Sequence, residues 1–279
     1  MVVESIINVT KARKKPILTV GLGFAATLIS TWLAVWVFPS GTSLAVVFLT
    51  TMATLPLIIR LLESEEKKEE RELKKRKRHL FIKDHKEVFM VYLYLFIGLM
   101  LGFTFLFIFI PSNIAEGVFQ EQVLTINAIR GGTGSFVQDT NIFILILSNN
   151  LKVLFFCLLF SFIYGSGAIF ILTWNASVIS VAIGDLIRTG IANASHIEYF
   201  KIIPLSFGRY LFHGLPEIAA YFLAGIAGGI ISTAIIRKQF NKKYFSKIVV
   251  DSLDLIVLAI ILLFLAGLLE ISISPLIKF

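Results

Sequence analysis

His213 and Glu217 stand four residues apart in an otherwise apolar stretch, RYLFHGLPEIAAYFLAGIAGG (209–229). On a helix that spacing places both on one face. An imidazole beside a carboxylate binds a metal ion, relays protons, or joins helices through a hydrogen bond. Two ligands do not complete a metal site, and Gly214 and Pro216 between them can displace His213 from the helix. No metal or cofactor is therefore expected. Pro216 suits a first helical turn, where its missing N–H is not needed. Glu217 then lies near the positive end of the helix dipole. Other polar residues also interrupt apolar runs: Asn149, Asn150 and Lys152, then Asn175, then Asp185 and Arg188, then Arg209, and finally Glu270. Ionisable groups inside apolar runs are costly unless paired or wet. Together these residues form a candidate polar cluster. It either locks helices together through paired charges and amides or lines a cavity for an ion, a proton or a lipid headgroup. For Asn175 the choice is between an interhelical hydrogen bond and part of a translocation path.

The elements that must carry these residues follow from composition. The chain has 279 residues, of which 57% are hydrophobic and 16% charged. A soluble domain has about 25% charged residues. Several apolar runs approach the roughly 20 residues that cross a bilayer as a helix. No alternating barrel-strand pattern is visible. The expected class is an all-α polytopic membrane protein. One cysteine, Cys157, rules out a disulfide framework or a cysteine metal site. The net charge of +8 is read as Lys and Arg marking cytoplasmic flanks, not as a nucleic-acid surface. The first apolar run is too long, and lacks the small-residue site, for a cleavable signal peptide.

Seven membrane helices are predicted: a two-helix N-terminal hairpin and a five-helix core. The hairpin (1–62) runs Ile17 to Phe38, turns at Pro39, Ser40 and Gly41, and returns from Thr42 to Leu62. Trp32 and Trp36 suit the interface belt. A charged cytoplasmic helix (63–87) follows, with i,i+4 pairs Glu63–Lys67, Glu70–Lys74 and Glu72–Arg76. It is either a docking site for lipid heads or an acidic partner, or a solvated helix that fixes topology. The core (88–279) opens with Val88 to Ile110. An interfacial helix carrying Val118, Phe119, Val123, Ile126 and Ile129 on one face follows. The fourth helix starts at Asn149, and a break at Gly165–Gly167 or at Asn175 separates it from the fifth, which ends at Ile187. Thr189 to Phe212 is an outer connection. Leu215 to Ile236 and Ile248 to Leu269 complete the count. The basic flanks place the N-terminus in the cytoplasm and the C-terminus outside. Gly98 with Gly102, and Gly225 with Gly229 (and Ala224 with Gly228), form small-residue faces for close helix packing. These faces suggest a homodimer.

The residues from about Val88 to Phe279 resemble the stage II sporulation protein M family of integral membrane proteins. The likeness rests on Asn149-Asn150-Leu151-Lys152-Val153, the Gly165-Ser166-Gly167 turn, and Asn175 with Gly184. It also rests on the LFHGLPEIAAYFLAGIAGG stretch and on Leu268-Leu269-Glu270 with Pro275. Phe212 stands where the family pattern has proline, and Asn175-Ala176 where it commonly has Asn-Gly. The resemblance implies a multi-helix membrane core and, by similarity to the namesake, an anchor for partner proteins; relatives include archaeal ones. The Lys/Glu-rich composition resembles that of a thermophile. No nucleotide-binding or Gly-x-Ser-x-Gly motif is present. The expectation is a non-enzymatic scaffold in the cell membrane, recruiting a protein partner through the 63–87 helix. The alternative is a transporter or channel for an ion, lipid or small solute that uses the polar cluster.

Overall fold

The computed structural model describes residues 8–74, 85–132, 139–164, 167–193, 199–236 and 245–273. Among these, every regular element is a helix. They are α1 (Val9–Lys14), α2 (Leu18–Val37), α3 (Thr42–Lys74), α4 (Lys86–Phe109), α5 (Ser112–Val118), α6 (Gln120–Gly132), α7 (Asp139–Tyr164), α8 (Ala168–Asn193), α9 (Tyr199–Ile236) and α10 (Phe245–Ile273). Seven are long and apolar enough to cross a membrane: α2, α3, α4, α7, α8, α9 and α10. In lipid this is the stable solution, because a helix satisfies its backbone hydrogen bonds internally.

The hairpin turn at Pro39–Gly41 uses Gly41 at φ 79°, a left-handed conformation that costs glycine nothing. α2 then crosses α4 almost in backbone contact. A Cβ built on Gly23 would lie 2.7 Å from the Leu95 carbonyl oxygen, and one on Gly98 would collide with the backbone of Val20. Gly102 likewise faces Thr27 and Phe24 of α2. The Gly98–Gly102 face is thus filled by the chain's own hairpin. α3 does not stop at the boundary between the hairpin and the charged run. It passes unbroken through both, and through Pro56, to Lys74.

Three sequence expectations change. The fourth spanning helix begins at Asp139 rather than Asn149, because Ile142 to Leu147 joins it as its first turns. Asn149, Asn150 and Lys152 therefore lie well inside a helix, not at its start. The stretch 189–212 is largely helix. α8 runs on to Asn193, and α9 starts at Tyr199 and continues through Pro204 and Pro216. The segment after α4 forms α5 and α6. Its buried face is Ala115, Val118, Phe119, Gln122 and Ile126, packed against α3 and α8. A buried glutamine on that face explains the tuck. Ser43 Oγ donates to Gln122 Oε1 at 2.7 Å, and Gln122 Nε2 donates to Ser177 Oγ at 3.2 Å. α7 ends at Tyr164 and α8 begins at Ala168, leaving Asn175 mid-helix.

α9 is the central helix. In its span, Gly214–Ile236, 83% of the most apolar window is buried, against 17% for Phe143–Tyr164 of α7. Its small residues allow this. A Cβ on Gly228 would lie 2.8 Å from the Leu158 carbonyl oxygen and 3.1 Å from the Phe162 backbone nitrogen. Gly225 faces Ala168 and Ser161. Phe222 inserts between Phe89, Tyr92 and Phe96 of α4, each ring centroid 5.7 Å away.

Candidate functional site

Glu217 lies one turn inside the α9 span and is partly buried. Pro216 just before it has no N–H, so the Phe212 carbonyl loses its usual helical donor. The carboxylate's partner is one turn further on: Tyr221 Oη donates to Glu217 Oε1 at 2.6 Å. Tyr221 is 1% exposed. Among the described residues Glu217 pairs with no cation; the i+4 phenol of its own helix holds one carboxylate oxygen. The side chains of Arg209 and His213 lie outside the described residues. Glu270 near the end of α10 stands close enough for its charge to act on Glu217. Cys157 of α7 is fully buried within electrostatic reach of Tyr221 and of Tyr92 on α4.

The other candidate residues are deployed differently. Asn150 is buried, while Asn149 and Lys152 are exposed on another face of α7. Asn175 Nδ2 donates to the Ile171 carbonyl at 2.9 Å, one turn back on its own helix, so it makes no interhelical bond there. Arg188 closes the C-terminal end of α4. Its guanidinium donates to the carbonyls of Ile108 (3.2 Å) and Ile110 and to Ser112 Oγ (3.4 Å), and it stacks 4.9 Å over Phe107. A helix end leaves carbonyls without donors and carries partial negative charge, and an arginine meets both needs. Asp185, partly buried one turn before it, is also engaged. Of the candidate cluster, the structure joins Glu217 with Glu270 and adds Tyr221 to them. The signal for Tyr221 was present in the sequence as the i+4 position on the same face.

A second polar centre arises from residues far apart in sequence. Glu65, 1% exposed, ends the α3 span. Arg13 Nη2 of α1 meets its Oε2 at 2.5 Å, and His85 Nδ1 lies 3.0 Å from its Oε1. Lys68 stands 3.7 Å away on the next turn. Arg13 also donates to Ser64 Oγ at 2.8 Å and to Glu87 Oε2 at 3.3 Å. One carboxylate thus ties α1, α3 and the start of α4 together where α3 leaves its span. Only a carboxylate ending an apolar run and a histidine opening the next hinted at it. Among the described residues no three His, Cys, Asp or Glu side chains gather as metal ligands.

Seven apolar helices, one of them the small-residue helix α9 with its carboxylate–phenol pair, define a multi-span α-helical membrane protein. The chain belongs to the stage II sporulation protein M family, whose model matches residues 91–275. The match starts within α4, so α1 to α3 precede it. The chain is also similar to an uncharacterised protein of Methanocaldococcus jannaschii, 31% identical over 133 residues, which cover 47% of this chain and 69% of the relative. No solved structure matches.

Proposed function

We propose that this family member is a non-enzymatic scaffold that recruits partner proteins at the cell membrane. The observation that carries the proposal is α3, one helix from its apolar span into the charged stretch as far as Lys74, the last of its described residues. The Arg13–Glu65–His85 contacts brace it where it leaves the span. A charged helix held rigidly against the membrane is a fixed docking element, and binding to it costs less ordering entropy than binding to a mobile tail. The absence of catalytic motifs from the sequence supports a non-enzymatic role. In the same proposal the charged helix and N-terminus are cytoplasmic and the C-terminus external, as the basic flanks require. A homodimer also belongs to it. Gly98, Gly102, Gly225 and Gly228 serve contacts within the chain, so its interface would use another face, such as the exposed Val257, Ile261 and Phe264 of α10.

Photo-crosslinking residues placed at the exposed positions Lys67 and Arg71 test the reading in cells. Discrete protein adducts from both positions, absent from a probe at Trp36, are expected; only lipid adducts at all three would defeat it. A second reading, transport, is favoured by the Glu217–Tyr221 pair within a span. Cation or proton flux in proteoliposomes that Glu217→Gln abolishes would favour it over the scaffold.

A further inference from the structure

Lys152 is in an unusual place. It lies nine residues into the span Phe143–Tyr164, about 14 Å along the helix at 1.5 Å per residue. Its side chain is exposed on the least buried of the seven spans. The other exposed charged residues of the spans, Arg60, Lys86, Glu87 and Asp254, all lie closer to a span end. No acidic side chain among the described residues pairs with Lys152. A lysine at the centre of a membrane helix costs about 3 kcal/mol, so it needs an anion or a route to the surface.

The surroundings of Lys152 provide for an anion. The open surface around it is one stripe of α7 itself, Ser148, Leu151, Lys152, Phe155 and Phe156, with Ile144 and Leu147 toward the N-terminal end. Ser148 and Lys152 are four apart and share the face. Side chains on a helix lean toward its N-terminus, so the Lys152 ammonium is carried toward the Ser148 hydroxyl and the nearer end of the span. An ammonium and a hydroxyl side by side suit phosphate oxygens. The flanking residues are aliphatic and aromatic and suit an acyl chain.

We propose that this face of α7 is a binding site for an anionic phospholipid. The headgroup phosphate sits on Lys152 and Ser148, and one acyl chain lies against Leu151, Phe155 and Phe156. The site is separate from both the charged helix and the Glu217–Tyr221 pair.

Full-length protein would be incorporated into nanodiscs of phosphatidylglycerol and phosphatidylcholine, extracted in mild detergent and weighed by native mass spectrometry. The expected result is retained phosphatidylglycerol, reduced about tenfold in Lys152→Gln. That factor corresponds to about 1.4 kcal/mol. Retention should persist in Lys152→Arg and in Lys11→Gln, which alters an exposed lysine of α1. Leu151→Trp, which reshapes the face beside the lysine while keeping the charge, should reduce retention as well, so the test does not depend on one variant folding. Equal retention in Lys152→Gln and the parent protein would overturn the proposal. So would loss of a dimer mass in Lys152→Gln with lipid retention unchanged, because that assigns the lysine to a second copy.

Discussion

Replacing Gly98 with alanine tests the α2–α4 crossing most directly. The added methyl would overlap the Val20 carbonyl oxygen and lie 2.8 Å from Val20 Cα and 2.9 Å from its carbonyl carbon. Carbon–carbon contacts are optimal at about 3.5–4.0 Å. All three atoms are backbone, so no rotamer change relieves the overlap. α2 must move away by about 1 Å, and a gap of that size forfeits up to about half of each dispersion contact it opens. Overpacking costs about 1–3 kcal/mol, and a backbone clash belongs at the upper end. Alanine returns about 1 kcal/mol of helix propensity, leaving a net loss of about 2 kcal/mol. Gly21 on α2 supplies the control, because no atom lies within 4 Å of a Cβ built there. Gly21→Ala should be neutral or stabilising by up to about 1 kcal/mol. The assay is reversible unfolding in mixed micelles, with thermal loss of the monodisperse peak in detergent as a second readout. If Gly98→Ala is as stable as Gly21→Ala, the two helices are not in backbone contact and the account of the hairpin is wrong.

Three further outcomes follow from the same structure. Glu65→Gln leaves Arg13 and His85 without their buried counter-charge and should cost about 3 kcal/mol; Glu87→Gln, at an exposed carboxylate, should cost at most about 1 kcal/mol, and equal unfolding midpoints for the two would refute the brace. Tyr221→Phe removes the donor to Glu217 and should cost about 2 kcal/mol in the same unfolding assay, whereas an unchanged midpoint would mean the bond is not made in the membrane. For topology, single cysteines can be introduced in the natural background, since Cys157 is buried and should stay silent. Positions 130 and 279 should react with an impermeant maleimide on sealed cells while 74 and 243 stay protected; the reverse pattern inverts the orientation.

Much of the architecture was legible in the sequence, because lipid leaves a spanning chain few choices. An apolar run of about 20 residues must be a helix, whatever packs beside it. Even so, the start of α7 was misplaced. Ile142 to Leu147 looked too short to span, and two asparagines and a lysine looked like a boundary. Helix propagation adds one hydrogen bond per residue, and Asn149, Asn150 and Lys152 carry it without a break. Pro216 misled in the same way: it suggested a helix start, yet α9 passes through it and through Pro204, each removing one donor without ending the helix.

The sequence by itself determined the class, the number of spans and the polar stretch around Glu217. These depend on local hydropathy and on spacing along one helix. Only the tertiary structure decided which polar groups meet. Arg13, Glu65 and His85 lie on three elements, and nothing in their spacing requires them to converge. Gln122 appeared to be one more residue of an interfacial helix until Ser43 and Ser177 closed around it. Arg188 looked like part of a charged cluster, and the end of α4 took it instead. The physical reason is the same in each case. Inside a bundle a polar side chain is held by whichever partner the helix packing brings within about 3 Å. That packing is set here by glycine contacts at Gly23, Gly98 and Gly228, whose partners lie on other helices.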